Sequence, residues 1–294
     1  MTFTPVRIDL DLGNFNAIQF GSIAGTLWLA ARVLPESRGR LRAFTFAALV
    51  TGLGWMVLMK PNLAWVSVAL CAHLGLRHGW KALASAALAA VLPLGLLVAF
   101  SCVSFGSASV WRDWAYYLLV ANPEKLASYS PKLGNASLPR FLAETLGLLV
   151  GAATLGIAVA FGVGLTAVAV RRAVGVQQIL RRSLWDPECA AGLGVLLGLL
   201  LAPLVWWHYY VLLLVPAFWA ARNFRRAPAA AVLTGAALFV NAKLPLARDS
   251  LLASAGLGPE ARVRFYILSF VLLVAAFFVR LGAEWRTGDS GVQD

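Results

Sequence analysis

The chain has 294 residues, 60% of them hydrophobic and 13% charged, with a formal net charge of +12 and a mean hydropathy of +0.77. Soluble domains are about half apolar and about a quarter charged, so this composition excludes a soluble domain around one core and reads as a polytopic membrane protein. The basic excess arrives as short clusters between apolar runs, such as "RGRLR", "RHGWK" and "RNFRR"; these suit loops facing anionic headgroups and match no nucleic-acid module.

The first residues, "MTFTPVRIDLDLGNFN", carry two aspartates and no basic n-region, which is not the pattern of a signal peptide. Nine apolar runs follow, near residues 15–31, 43–59, 62–76, 82–106, 141–170, 190–206, 208–221, 228–246 and 264–282. They predict an all-α, polytopic transmembrane helical bundle in a single membrane domain, residues 1–294. The third, sixth and seventh runs fall short of the roughly 20 residues of a full crossing, which predicts tilted, broken or re-entrant segments. No internal repeat is visible, so the inverted-repeat logic of many transporters finds no support. Cys71, Cys102 and Cys189 have neither metal spacing nor a disulfide framework.

Lysine and arginine set the orientation. The loops holding Arg32 to Arg42, Arg77 and Lys81, Arg171 to Arg182, Arg222 to Arg226, and Arg280 and Arg286 carry 15 basic residues against six acidic; the other loops carry 10 against seven. The first set is therefore cytoplasmic, with the C-terminus inside and the N-terminus outside a bacterial plasma membrane. An outside N-terminus close to the first span leads to the expectation that an odd number of helices precedes this chain.

The outer side then collects the polar features. Asn14, Asn16 and Gln19 open the first span in "GNFNAIQFG"; such amides cap a helix, bond to a neighbouring helix, or bind a sugar. Lys60, in "LMKPN", is a snorkelling anchor or a phosphate-binding point charge. The outer loop, residues 107–140, opens with "WRDWAYYLLV". It places Trp111, Trp114, Ala115, Leu118 and Leu119 on one helical face, as in a helix lying on the membrane. Asn135, Ser137 and Arg140 follow in "GNASLPRF". Glu144 is an intramembrane carboxylate with Arg140 four residues before it as its partner. Trp206, Trp207, His208, Tyr209 and Tyr210 form an aromatic cluster that anchors helix ends or rims a site. Histidine's ordinary pKa lies near neutrality, so His208 is a residue type suited to phosphate contact or proton transfer. Motifs for soluble nucleotides, metalloproteases or paired-cysteine metal sites are missing, so no metal and no cofactor is expected.

Four of these segments occur in the order and spacing of one family. "GNFNAIQFG", "GLGWMVLMKPN", "GNASLPRFL" and "APLVWWHYYVLLLVP" resemble the "GQxN", "GxxxxxKP", "NQSLxxxxRLL" and "SPxSWxHHxVLLLP" segments of the integral-membrane glycosyltransferases of family 87. That family includes polyprenyl-phosphate-mannose-dependent mannosyltransferases. The departures are Ala202 and Val205 for serines, Trp207 for an acidic or polar residue, Tyr209 for a second histidine and Ala136 for a glutamine. Members also begin with further helices and an outer loop bearing the carboxylate base, to which no residue here corresponds.

The resemblance implies a C-type membrane glycosyltransferase fold. It implies transfer of a hexose or pentose from a polyprenyl-phosphate-sugar donor to a hydroxyl of a glycolipid or glycan acceptor at the outer face, among membrane lipids and without nucleic acid. Lys60 and Arg140 would hold phosphate, His208 would contact phosphate or move a proton, and Asn16, Gln19, Asn135 and Trp206 would line the site, with the base absent from this chain. The rival readings are a non-catalytic remnant or membrane scaffold, and a lipid or solute transporter.

Overall fold

In hydrocarbon a backbone must close its hydrogen bonds within its own segment, and every regular element among the described residues is a helix. The computed structural model describes residues 16–59, 63–116, 135–202, 205, 207–222, 224–243 and 259–284. Helix α1 (Asn16–Trp28) continues through a π-helical turn at Leu29–Val33 into a last turn at Leu34–Glu36. The wide turn accommodates Pro35, which lacks an N–H and crowds the carbonyl four residues back; the Leu34 N–H reaches Leu29 O, five residues back. Then come α2 (Gly39–Met59), α3 (Ala64–His78), α4 (Trp80–Ser104) and the short α5 (Val110–Tyr116). The second half holds α6 (Leu138–Leu146), α7 (Val150–Arg171), α8 (Val176–Trp185), α9 (Pro187–Leu201), a 3-10 segment (Trp207–Leu213) running into α10 (Leu214–Ala221), α11 (Pro228–Lys243) and α12 (Pro259–Glu284).

Among the described residues, four helices are long and apolar enough to cross a membrane: Gly39–Leu58, Trp80–Ser104, Val150–Arg171 and Val263–Glu284. At 1.5 Å per residue each reaches about 30 Å or more, the thickness of the hydrocarbon core. The α8–α9 pair, bent by 113° at Asp186, makes a fifth if taken as one span. The nine apolar runs of the sequence therefore do not all become helices of crossing length. The first is interrupted by the π turn, and the third is a helix of 15 residues. The run 141–170 is two helices, because Gly147 takes φ 67° and closes α6; only glycine enters that left-handed region at no steric cost. The run 208–221 begins as a 3-10 segment, and α11 has 16 residues.

Helix α9 is the axis of the bundle, and nearly every residue from Cys189 to Leu200 is buried. Its glycines admit neighbours closely. A Cβ on Gly194 would lie 2.6 Å from Val66 Cα and 2.7 Å from Trp65 O of α3, and one on Gly192 would lie 3.2 Å from Pro216 Cα of α10. Without a hydrophobic drive between helices in lipid, this close backbone packing is a main source of association. The α11–α12 contact adds a polar link: Asn241 Nδ2 donates to Ser269 Oγ at 2.6 Å, and Ser269 Oγ donates to Ala237 O at 2.8 Å. By contrast, α4 and α7 turn side chains such as Leu92, Phe100, Leu155 and Val163 outward, as lipid-facing helices do.

The end of the bundle rich in arginine is tied by charge. Asp186 caps α9, with Oδ1 accepting from the N–H groups of Glu188 (3.0 Å) and Cys189 (3.4 Å). Its Oδ2 accepts from Trp219 Nε1 at 3.1 Å and from Arg222, whose other terminal nitrogen donates to Glu188. One guanidinium thus bridges two carboxylates at a helix start, where negative charge is favoured. Arg280, only 2% exposed, donates to Glu284 at 2.8 Å and lies 5.9 Å from the centre of the Trp219 ring. His73 Nδ1 donates to Leu184 O at 2.9 Å, joining α3 to α8, and His78 Nδ1 accepts from Arg42 Nη2 at 3.2 Å, joining α3 to α2.

Part of the segment read as an interfacial helix is helical, as α5. Trp111 Nε1 donates to Ser101 Oγ of α4 at 2.7 Å, the Trp111 and Trp114 rings meet edge to face at 5.4 Å, and Arg112, Asp113 and Tyr116 are exposed. Residues 117–134, the rest of that loop up to the site motif, lie outside the described residues.

Two outcomes follow for stability. Gly194→Ala will lower stability by about 1–3 kcal/mol, because α3 backbone occupies the added methyl's place; Gly156→Ala, with nothing within 4 Å of its Cβ, will be neutral or slightly stabilising. Thermal unfolding in detergent reads both. His78 is the last residue of α3, outside the four long helices, and its pKa is pushed down from 6.5 to about 4 by burial first, then by Arg42, Arg77 and His73. Its folded value lies below the unfolded one, so its contribution is full above pH 6.5 and is lost as pH falls from 6.5 towards 4. The unfolding midpoint will drop on acidification across that window, and less steeply in His78→Gln.

A polar splice at the end opposite the arginine cluster

Helix α9 runs from Asp186 at the arginine-rich end to Leu201 at the other, where the chain leaves helical form. Ala202 is extended, with φ −71° and ψ 127°, as the residue before a proline prefers. A helix end leaves its last carbonyls without intrahelical partners. Just past that end, the segment Asn135–Ser137 pairs with the backbone at Ala202 and Val205. Ser137 Oγ donates to Ala202 O at 2.7 Å, and the Ala136 N–H donates to Val205 O at 2.7 Å. Asn135 Oδ1 accepts from the Val205 N–H at 3.1 Å and from the Ser137 N–H at 3.0 Å. Tyr210 OH donates to Ala136 O at 3.1 Å. Asn135, Ala136, Ser137, Val205 and Tyr210 are all buried.

Ser137 serves both sides of this splice. Its hydroxyl also caps α6, accepting from the Arg140 N–H at 3.3 Å, with Pro139 in the first turn where its missing N–H is harmless. Tyr210 is held from the far side by Tyr266 at 5.2 Å and Phe270 at 6.1 Å between ring centres. Helix α1 packs along the 3-10 segment Trp207–Leu213, bringing the first turns of α1 to the same end.

The residues singled out in the sequence are distributed as follows. Gln19 is 3% exposed, and its Oε1 accepts no hydrogen bond among the described residues. Asn135 is fully buried, and its side-chain carbonyl oxygen, engaged by two backbone N–H groups, ties the segment before α6 to Val205. Arg140 and Glu144 form the ion pair expected from their spacing, Nε to Oε1 at 2.8 Å, with side chains 20% and 35% exposed. Asn16 begins α1 and His208 lies in the 3-10 segment, while their side chains, together with Lys60 and Trp206, lie outside the described residues. Among the described residues no group of His, Cys, Asp or Glu could hold a metal ion.

Ser137 and Tyr210 stand out as residues that the sequence motifs underplayed. A signal for Ser137 existed: an Asn-x-Ser turn followed by Pro two residues on is the signature of a helix start. Tyr210 had none, since nothing local marks a tyrosine whose partner lies 74 residues away. Chemically, the described residues of this half offer a guanidinium beside a carboxylate, both partly exposed, and a buried amide oxygen, Gln19 Oε1, with capacity for a donor. At the start of α5, Ser109 Oγ donates to Asp113 at 2.6 Å and, first among its causes, holds that carboxyl below its ordinary pKa. Compared with family models, curated proteins and solved structures, the chain shows no match.

Removing the splice should be felt throughout the bundle. Asn135→Ala leaves the Val205 N–H without its acceptor and will cost about 2–4 kcal/mol, whereas Arg140→Gln, which opens a partly exposed pair, will cost under about 1 kcal/mol. Thermal unfolding of the two purified variants measures the contrast.

Proposed function

We propose that the chain is a membrane-embedded glycosyltransferase of the polyprenyl-phosphate-sugar type, working at the end of the bundle where α1, α6 and the 3-10 segment meet. The observation that carries this reading is the splice itself: "GNASLPRFL" and "APLVWWHYYVLLLVP", two of the segments that carry the family resemblance, are joined by four direct hydrogen bonds. The start of α1, which carries a third, packs onto the same 3-10 segment. In this reading the nine apolar segments make a C-type bundle in a bacterial plasma membrane, with the basic end and the C-terminus cytoplasmic and the site outside.

A lipid-linked donor suits such a bundle, because its polyprenyl tail stays in the bilayer and its phosphate reaches the polar end. Lys60 and Arg140 hold that phosphate, with Arg140 positioned by Glu144. Gln19 Oε1 accepts from a sugar hydroxyl, which gives a buried oxygen its donor. Asn16 and Trp206 line the sugar. The hydroxyl of a glycolipid or glycan attacks the anomeric carbon, the bond from that carbon to the phosphate oxygen breaks, and the lipid phosphate departs with the bonding pair. Cationic groups and His208 stabilise the departing phosphate. The base that takes the hydroxyl proton is not assigned to this chain.

The test is transfer from a radiolabelled polyprenyl-phosphate sugar in membranes that contain the chain. Lys60→Ala and His208→Ala will each lower transfer by about tenfold or more, the value of a charge-assisted hydrogen bond. Unchanged transfer in both variants, or cysteine labelling that puts Trp206–Tyr210 in the cytoplasm, overturns the assignment.

A further inference from the structure

A second site lies at the opposite end. The parallel helices α2 and α4 are drawn together midway, where a Cβ on Gly54 would lie 2.7 Å from Leu94 Cδ1. Towards their N-terminal ends the two helices line the gap mostly with small residues, Gly39, Ala43 and Ala47 on one and Ala82, Ala86 and Ala89 on the other. The spacing that suits Leu94 therefore leaves an unfilled groove of about 470 Å³, with Phe46 and Ser85 in its walls and Arg42 and His78 at its mouth. That volume lies within the range of about 300–1,000 Å³ typical of small-molecule sites.

The groove faces lipid and carries a positive field. Phe44 and Leu88, beside it on α2 and α4, are 72% and 75% exposed, as suits lipid-facing positions on two helices long and apolar enough to cross a membrane. Among the described residues its lining has no carboxylate. Both helices begin here with no acidic residue in the first turn, and α4 has no side-chain cap, so two positive dipole ends converge on the mouth. Arg38, Arg40, Arg77 and Lys81 add exposed cations around it. Arg42 presents one nitrogen to His78 at 3.2 Å. A guanidinium has five N–H donors, so most of its capacity faces the mouth. Since arginine can only donate, His78 Nδ1 is the acceptor, and the imidazole adds no competing charge to the pair.

We propose that this groove binds one anionic phospholipid, its phosphate on Arg42 and one acyl chain along the facing alanines. Basic pockets between membrane helices on the cytoplasmic side select such headgroups, and the groove's apolar floor distinguishes a lipid from a free phosphate.

The purified full chain, titrated with phosphatidylglycerol or phosphatidylcholine and read by native mass spectrometry, tests this. Phosphatidylglycerol will be retained about fivefold better at a single site, the worth of one arginine near a membrane surface. Arg42→Gln will erase that preference, Ala89→Leu will reduce retention of both lipids by filling the groove, and Arg112→Gln at the far end will leave the preference intact. Equal retention of the two lipids by the parent chain overturns the proposal. So does a preference that survives Arg42→Gln, or full competition by soluble glycerophosphoglycerol, which would mean that the headgroup alone is read.

Discussion

The backbone of a membrane protein has no water to turn to, and the departure from helical form at Ala202 is where this chain meets that constraint most directly. An open helix end in hydrocarbon costs several kcal/mol for each unmet polar group. Asn135, Ala136 and Ser137 meet the backbone groups just past that end, at Ala202 and Val205, and in doing so they decide where the chain must return after residue 134 and where α6 must start. The remaining half of the bundle is hung from that junction. α6 turns at Gly147 into α7, and Tyr210 is clamped between Ala136 and the aromatic rings of α12.

Helix α9 links two chemically different ends. At its start, Asp186 and Glu188 share Arg222, and Trp219 and Arg280 close over the pair. Charges there suit a helix N-terminus and a headgroup region. At its finish the partners are neutral: hydroxyls, amides and carbonyls satisfy one another with little residual charge. Between the ends, glycines bring α3 and α10 against α9 so closely that no side chain could intervene. A rigid central helix between a charged clamp and a neutral splice gives the far end a fixed geometry on which a site can be built.

The two proposed sites follow from that polarity. The transfer site uses the neutral end, where Gln19 retains an unused acceptor and the Arg140–Glu144 pair stands at the rim. The lipid groove uses the basic end, where α2 and α4 begin together and small residues leave room. Both are cases in which a tertiary arrangement leaves something unfilled, an acceptor in one and a volume in the other, and the chemistry around the gap says what fills it.

Much of this was legible in the sequence for simple reasons. Apolar run length and low charge identify a helical membrane protein, since both act through transfer to lipid. The i, i+4 spacing of Arg140 and Glu144 sufficed for their ion pair, and the face pattern of "WRDWAYY" sufficed for α5, because helix geometry alone dictates such neighbours. Run length did not translate into nine helices of crossing length, because single residues decide where a helix stops: Pro35 forces a π turn, Gly147 ends α6, and Asp186–Pro187 bends α8 into α9. The bonds of Asn135 to Val205 and of Tyr210 to Ala136 join residues 70 and 74 positions apart and, like the Arg42 groove, had no local mark. Composition and periodicity determine what a segment is, because those energies are local and additive. Which orphaned carbonyl a distant asparagine or serine satisfies, and where two helices of small residues leave a gap, depends on the joint packing of the whole bundle, and only the tertiary structure decides it.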